Sequence, residues 1–400
     1  MTKVKTVHRT YRFCLLPNKE QEVLLNKHFG SIRWVYNHFL NERKEHYQAN
    51  KKSDNYQKQA ASLTLIKKNK ETEWLKDINS QSLQTALRFL DTAFVNFFRG
   101  NAKFPRFKSR KGKNSFTIPQ FVKVERDKLF FPKFKEGIKL NLHRPIEGEI
   151  KHCTVIKTPT GKCFVSILCE VQYKPKETTH KYCGIDLGIK DFAVTSDGIR
   201  FKNNYHIRRY EMQLAKAQKC LSRKNKGSNN RNRQRLKVAG IHEKIANSRL
   251  DVLHKISTQI INAYDIICVE DLNVKGMMAN HKLAKHIADT SWGTFLRLLE
   301  YKAHWNDKKV IKINRFYPSS KTCNECGWIH HGLQLSEREW TCPNDHTLDR
   351  DINAAKNILR EGLNIIGAEL SDNTCGGSTK TSEKKHKPMK QEAHRSLTDD

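Results

Sequence analysis

The stretch YCGIDLGIKDFAVTSDGIRF, residues 182–201, decides the fold class. Its apolar and β-branched residues predict two strands separated by residues 188–190, and the Asp-Gly pair at 197–198 predicts a hairpin turn into a third strand. Asp186 lies within the first strand, with apolar neighbours on both sides. A carboxylate in a buried sheet is costly unless a cation or another partner meets it. The alternative is a strand carboxylate that faces solvent.

A second acidic candidate follows at YDIICVED, residues 264–271. This run predicts an apolar strand that ends in Glu270 and Asp271. Ligands of open α/β sheets gather at the carboxyl ends of strands, so Glu270 is a candidate ligand. The alternative is an ordinary solvated strand end.

The third candidate stands in LDRDINAAKNIL, residues 348–359, which predicts a helix. Its inward stripe includes Ala354 and Ala355, and such small residues let the helix approach the sheet closely and aim Asp351 at Asp186. Alternatively, Asp349 or Asp351 is a common N-cap. Three converging carboxylates would hold two Mg²⁺ or Mn²⁺ ions about 4 Å apart, which suits phosphodiester hydrolysis.

The charge balance points to a polyanionic partner. Lys and Arg outnumber Asp and Glu by 74 to 41, which gives a net charge of +33. Nucleic acid is the expected partner, with binding that weakens as salt rises; a ribosome-like structural protein or a membrane-surface binder is the alternative. The chain has neither an apolar run of about 18 residues nor a signal-peptide block. We therefore expect no membrane partner and a cytoplasmic, nucleoid-associated protein of a prokaryote.

Three of the 11 cysteines have the spacing of metal ligands. Cys323 and Cys326 form a Cys-x2-Cys half-site, which is typical of structural Zn²⁺ sites. The second half begins at Cys342 and has no cysteine two residues further on. His346 is the preferred fourth ligand, and Asp345, His330 or His331 could replace it. Reduced cysteines without a metal are the alternative.

The pattern along the chain predicts several domains. The opening strand has no partner in the helical segment that follows, so we expect it to join the later β-rich region in a small barrel. We predict a β-barrel from residues 1–14 and 118–178, a helical insertion at 15–117 and a mixed α/β nuclease domain at 179–370. That domain carries the cysteine insert at 318–349. The tail, 371–400, is predicted to be disordered.

Two basic segments are candidates for nucleic-acid binding. FPRFKSRKGK, residues 104–113, interleaves Phe with basic residues, which suits stacking and phosphate contact. The segment at 222–255 suits the backbone of RNA or of a heteroduplex, although a solvated helix face explains it too. Asn79, Gln81 and Gln84 could read adenine, although helix capping explains Asn79 equally well. The basic candidates are Arg106, Lys108, Arg110, Lys111, Arg223, Lys224, Lys226, Arg231, Arg233 and Arg235.

Together these motifs resemble the TnpB family of transposon-encoded RNA-guided nucleases, which are related to type V CRISPR effectors. The matching segments are GIDLGIKDFAV, VEDLNVKGM, SWGTFLRLLEYKA, YPSSKTCNECG, WTCPN, DRDINAAKNIL, and, nearer the start, YRFCLLPNKEQ, GSIRWVYNHFL and FPRFKSRK. The resemblance spans residues 8 to 370. One departure is the second half of the zinc site, where the family usually has another Cys-x2-Cys.

The resemblance implies an RNase H-like, RuvC-type nuclease domain with Asp186, Glu270 and Asp351 as its metal-binding catalytic triad. Asp351 is preferred over Asp349 because the family's acid stands two residues before the Asn, here Asn353. The resemblance also implies a zinc-ribbon-like insert, a guide RNA from the transposon end, and double-stranded target DNA. A short flanking DNA motif would be read by a wedge-like barrel and a helical recognition insertion. We expect a monomer in the ribonucleoprotein.

Two other functions fit parts of the sequence. One is a catalytically silent nucleic-acid-binding regulator of transposition, in which Asp186 would be dispensable. The other is a guide-free, structure-specific nuclease that shares the active site. Sensitivity of cleavage to RNase separates the second alternative from a guided nuclease.

Overall fold

A computed structural model describes residues 4–203, 205–334 and 336–375 of the chain. These residues fall into two compact units. The first unit contains the residues up to Lys181, then Asn203–Asp265 and Val274–Lys309. The second contains Tyr182–Lys202, Ile266–Asn273 and the residues from Val310 onwards. Every helix of the described residues is too short or too polar to cross a bilayer.

The first unit is built on a seven-stranded sheet with the order β2-β6-β7-β1-β5-β4-β3. As predicted, the opening strand joins the later strands: it pairs antiparallel with β7 along most of its length and with β5 at its end. Turns fall at Arg126 and Gly161, both with positive φ. The strands are β1 (Lys5–Leu16), β2 (Asn114–Ile118), β3 (Lys123–Glu125), β4 (Lys128–Phe131), β5 (Phe134–Asn141), β6 (Glu149–Lys157) and β7 (Cys163–Tyr173).

The predicted closed barrel is not found in the described part of the chain. The strand order is open, with β2 at one end and β3 at the other. Closure requires these two edges to pair, but β3 is only three residues long and presents exposed Lys123 and Glu125. Such a short, charged strand is typical of a sheet edge.

Helices occupy the chain between β1 and β2, as predicted for an insertion. Asn18 and Gln21 form a reciprocal capping box that starts the first of them. Apolar residues at helical spacing, such as Leu25, Phe29 and Leu83, are buried in the core. The elements are α1 (Lys19–Asn50), α2 (Tyr56–Ile66), a 3-10 helix (Lys70–Asp77) and α3 (Ser80–Phe98).

The basic segment at 222–255 contains the end of one helix of the first unit, a turn, and most of the next helix. Gly227, at φ 89°, lies in the turn between them, and the Arg231 guanidinium donates to the carbonyls of Leu221 and Lys224. These helices and α8 group with the first unit. The helices are α4 (His206–Ser222), α5 (Asn229–Ala263), α6 (Val274–Met277), α7 (His281–Thr290) and α8 (Trp292–Trp305).

The second unit is built on a mixed sheet with the order β10-β9-β8-β11-β12. As predicted, residues 182–201 form two strands and a hairpin into a third. Strand β11 runs parallel to β8, with Val269 opposite Ile185. The strands are β8 (Tyr182–Asp186), β9 (Asp191–Thr195), β10 (Arg200–Lys202), β11 (Ile266–Glu270), β12 (Lys309–Ile313) and the hairpin β13 (Glu339–Thr341) and β14 (Thr347–Asp349).

Helix α9 (Arg350–Cys375) packs closely against this sheet. A Cβ atom on Gly184 of β8 would overlap the backbone carbonyl of Ala355, and one on Gly362 would overlap the thiol of Cys268. Only glycine permits an approach this close. Residues 371–375, the first five of the tail that was predicted to be disordered, are part of this helix. Residues 376–400 lie outside the described residues.

Candidate active site

Two of the candidate acids end neighbouring parallel strands. Asp186 is the last residue of β8, and Glu270 is the last residue of β11. Because Val269 lies opposite Ile185 in the parallel pair, the next residues of the two strands, Glu270 and Asp186, are neighbours at the carboxyl edge of the sheet. Asp351 is in the first turn of α9, which packs on β8. The three sequence-predicted carboxylates therefore belong to one unit of the fold and surround one edge of its sheet.

Asp186 is the electrostatic centre of this edge. Burial, followed by the negative charges of Glu270 and Asp351, raises its pKa to about 7; the guanidinium groups of Arg350 and Arg338 oppose that shift. Among the described residues, none donates a hydrogen bond to the Asp186 carboxylate. A partly buried carboxylate that is repelled by two others and has no donor is costly unless a cation meets it.

Glu270 is held by a hydroxyl group. Burial raises its pKa, and a hydrogen bond from Ser319 opposes the increase. The Ser319 Oγ donates to Glu270 Oε1 at 2.5 Å. This bond fixes one carboxylate oxygen, and no described residue donates to the other.

The two acids at the start of α9 have different partners. Asp349 Oδ1 accepts hydrogen bonds from the backbone N–H groups of Asp351 and Ile352, so Asp349 is the N-cap of the helix. Its other oxygen pairs with Arg200 at 2.6 Å. Asp351 lies 3.4 Å from both Arg200 and Arg338. The N-cap interpretation thus describes Asp349, and the Asp351 carboxylate is directed away from the helix backbone.

The donor set fits hard divalent cations. Carboxylate oxygens are preferred ligands of Mg²⁺ and Mn²⁺, and Asp186 offers oxygens that no described donor occupies. The three carboxylates interact electrostatically. Their oxygens do not lie as close together as the ligand atoms of Cys323, Cys326, Cys342 and His346. Asp351 is drawn toward two guanidinium groups, which balance the repulsion among the three acids.

The cysteine insert forms a compact four-residue cluster. One ligand atom from each of Cys323, Cys326, Cys342 and His346 lies within 4.8 Å of the other three, a group that can hold a metal ion. The His346 Nδ1 is 3.2 Å from the Cys342 Sγ and 3.8 Å from the Cys323 Sγ. The hairpin of β13 and β14 carries Cys342 and His346 at its turn, with Asp345 at φ 60°.

The electrostatics of the cluster favour the thiolate at Cys326 and Cys342, whereas burial raises the pKa of Cys323. A backbone hydrogen bond from Trp328 is the largest cause that lowers the pKa of Cys326 to about 6. Burial opposes ionisation of Cys342, but hydrogen bonds from the backbone and side chain of His346 and from the backbone of Asn344 lower its pKa overall. Contacts with these thiols raise the pKa of His346. Thiolate is the form that binds metals, so the site is prepared for one.

Several predicted nucleic-acid contacts line one cavity of the first unit. Arg110, Lys111 and Arg235 border it together with Arg33 and Lys157, around a volume of about 640 Å³. The sequence did not single out Arg33 or Lys157. Five cations around one cavity make it strongly positive. Of the other basic candidates, Arg106, Arg223, Lys226 and Arg233 are exposed.

Other predicted contacts are engaged within the protein. The Lys108 ammonium lies 3.9 Å from the centre of the Tyr36 ring, and Arg231 closes the turn between α4 and α5. Asn79 is 4% exposed and caps α3, which is its alternative interpretation. Gln81 donates to Gln120. Gln84 is exposed on α3, and Lys224 is half-buried.

Sequence reasoning missed three residues at the carboxylate edge: Ser319, Arg200 and Arg338. Their partners are 49, 149 and 13 residues away in the chain, so no local pattern identifies them. The one available signal was the YPSSKTC segment, which resembles the TnpB family and contains Ser319.

Three family models match the chain. A family described as "Probable transposase" (OrfB_IS605) matches residues 166–290, and the "Cas12f1-like, TNB domain" matches 292–358. A "Helix-turn-helix domain" model matches residues 1–52, where the structure has β1 followed by the single helix α1. The second match contains the cysteine insert.

Curated relatives match nearly the whole chain. A protein of Streptomyces pristinaespiralis named "Putative RNA-guided DNA endonuclease" is 39% identical over 90% of each chain. A protein of Escherichia coli K12 with the same description, InsQ, is 32% identical over 96% of this chain and 97% of its own. Several weaker matches are named "TnpB-like protein".

A solved structure shares the fold. The chain aligns with a protein in the cryo-EM structure of a Cas12f1–sgRNA–target DNA complex with a TM-score of 0.52 and 12% identity. The alignment covers 88% of this chain and 98% of the other.

Proposed function

This chain belongs to the TnpB family of transposon-encoded RNA-guided DNA endonucleases, and from that premise we propose that Asp186, Glu270 and Asp351 hold two divalent cations that promote hydrolysis of target DNA. The chain itself is an RNA-guided nuclease associated with a transposon. The proposal concerns how it cuts. One observation carries it: Asp186, which is buried beside the negative charges of Glu270 and Asp351, accepts no hydrogen bond from any described residue.

The three acids have separable roles in this proposal. When bound, a pair of Mg²⁺ or Mn²⁺ ions supplies an activated water and stabilises the leaving oxygen of the phosphodiester. Asp186, whose charge is opposed by both other acids, would be the central ligand of the metal site. Glu270 presents the oxygen that Ser319 does not occupy, and Asp351 approaches from the first turn of α9. Asp351 would bind a cation in place of its present ion pairs with Arg200 and Arg338.

The cysteine cluster is proposed to be a structural zinc site. Three sulfur ligands and one nitrogen ligand are a common tetrahedral set for Zn²⁺, and the cluster leaves no ligand position for a substrate. His346 takes the place of the family's fourth cysteine. The zinc would fix the turn of the β13–β14 hairpin and the Cys323–Cys326 loop.

The proposed partners are a guide RNA from the transposon end and double-stranded DNA. The positive cavity formed by Arg33, Arg110, Lys111, Lys157 and Arg235 supports contact with a nucleic-acid backbone. The neighbouring solved structure is described as a complex with sgRNA and target DNA. We propose that the residues before 179 read a short flanking DNA motif, and that one copy of the chain acts in the ribonucleoprotein.

Cleavage by the purified ribonucleoprotein tests the proposal. The protein is co-expressed with the RNA of its transposon end and incubated with Mg²⁺ and plasmids that carry a matching target beside a randomised flanking motif. We expect linear product for a subset of motifs, and none with EDTA or with Asp186→Asn. Cleavage by Asp186→Asn would refute the metal site. Cleavage that survives RNase treatment of the complex would indicate a guide-free nuclease.

A further inference from the structure

The cysteine insert is joined to helix α9 by buried amide side chains. Asn357 is fully buried, and its Nδ2 donates to the carbonyls of Ser319 and Thr322 at 2.9 and 2.6 Å. Asn353, 2% exposed, donates to the same Thr322 carbonyl and accepts from the backbone N–H of Asn324. Thr322 and Asn324 flank the cluster ligand Cys323. The position of the cysteine loop is therefore set by four hydrogen bonds to one face of the helix.

The same segment reaches the carboxylate site. Ser319 is 6% exposed, its carbonyl is held by Asn357, and its hydroxyl donates to Glu270. A hydroxyl held in this way orients the carboxylate and selects which oxygen faces the sheet edge. Removing a group that orients a metal ligand usually lowers the affinity of the site for its metal.

We propose that Ser319 is a positioning residue for Glu270, through which the cysteine insert sets the affinity of the carboxylate site for divalent cations. Hydrogen bonds form the connection. Asn357 binds both residue 322 of the cysteine loop and the Ser319 carbonyl, and the Ser319 hydroxyl binds Glu270. This inference rests on the proposed function of the three carboxylates. It adds that the zinc site has a second role besides folding of the insert.

Direct measurement of Mn²⁺ binding tests the proposal without relying on cleavage. Zinc-loaded full-length protein is titrated with Mn²⁺, and free Mn²⁺ is followed by electron paramagnetic resonance. We expect Ser319→Ala to weaken binding by about 10- to 100-fold, which is the usual effect of losing such a partner. Ser319→Thr, which keeps the hydroxyl, should recover most of the affinity.

A matched control removes a different hydroxyl of the insert. Thr341 is exposed on β13, and its side chain contacts Thr347 rather than a carboxylate. Thr341→Ala should bind Mn²⁺ like the wild type. Thermal unfolding of each variant shows whether it is folded. Wild-type affinity in a folded Ser319→Ala variant would overturn the proposal.

Two further measurements test the route from the insert. Asn357→Ala should also weaken Mn²⁺ binding, and the double variant with Ser319→Ala should lose less than the sum of the single effects. Zinc-free Cys326→Ser should bind Mn²⁺ more weakly than the wild type, but the same change in a Ser319→Ala background should add little. Full additivity in both tests would refute the coupling.

The tests also separate this proposal from the proposed function. If Asp186→Asn binds Mn²⁺ as tightly as the wild type, the carboxylates do not form the metal site and the proposed function fails. If Asp186→Asn abolishes binding while Ser319→Ala leaves it unchanged, the metal site stands and the role of Ser319 is refuted.

Discussion

Asp349 accepts a hydrogen bond from the backbone N–H of Asp351, so two acids only two residues apart have separate roles. The first completes the helix, and the second is free to act outside it. Asp351→Asn should lower the cleavage rate roughly a thousandfold, because a lost metal ligand removes several kcal/mol of transition-state stabilisation. Asp349→Ala removes the N-cap acceptor, so it should lower the free energy of unfolding by about 1 kcal/mol and the cleavage rate by less than tenfold. Single-turnover cleavage assays compare the two; equal rate losses would contradict the assignment.

The pKa of Asp186 predicts a stability that depends on pH when metals are removed. Its folded-state pKa of about 7 lies above the ordinary carboxyl value, so the folded protein loses stability as pH rises from about 4 to 7. Each pKa unit between the folded and the unfolded value changes the free energy of unfolding by about 1.4 kcal/mol at most. In EDTA, Asp186→Asn should therefore melt at a higher temperature than the wild type at pH 8 and at the same temperature near pH 4. Equal melting temperatures at pH 8 would contradict the buried repulsion.

Loss of the cysteine cluster should destabilise the protein. Cys342→Ser should abolish the bound zinc, measured by atomic absorption, and lower the melting temperature by several degrees, since 1 kcal/mol is worth about 4–8 °C in a unit of this size. Cys220→Ser is the control, because Cys220 is an exposed free cysteine of α4. The prediction fails if both variants retain zinc.

Gly184 should be required for α9 to pack closely against strand β8. Gly184→Ala places a methyl group on the Ala355 carbonyl, so the helix must shift, at a cost of about 1–3 kcal/mol or more. Because Asp351 moves with the helix, cleavage should fall as well. Gly240→Ala, in the middle of α5 with open space around it, should be neutral or slightly stabilising. Denaturant unfolding measures both; a tolerated Gly184→Ala would contradict the packing.

The positive cavity should contribute to RNA binding in proportion to its charges. Arg235→Ala should weaken binding and reduce the slope of log affinity against log salt by about 1, as expected for a lost phosphate contact. Lys255→Ala is the control on the same helix, because Lys255 pairs with Asp251 at 2.7 Å. Filter binding at several salt concentrations gives the slopes. An unchanged slope for Arg235→Ala would place the RNA elsewhere.

The sequence predicts what local patterns determine. The strand that carries Asp186, the strand ending in Glu270 and the small-residue stripe of α9 all follow from neighbouring residues, and the structure has each of them. Asp186 was predicted to lie within its strand, whereas β8 ends at Asp186 itself. The open sheet was not predicted, because closure depends on whether distant edges meet. Ser319 and Arg200 were also missed, since their roles arise only when the fold brings remote segments together.

The pairing of β1 with β7 has a consequence during synthesis on the ribosome. Lys5 pairs with Tyr173, so the first strand leaves the exit tunnel long before its partner exists. At 5–20 residues per second the delay is roughly 10 to 30 seconds, during which β1 is an unpaired strand with an apolar face. Helix α1 can fold within microseconds of emerging. We expect the nascent chain to rely on this helix, or on a chaperone, to shield β1 until translation passes residue 173.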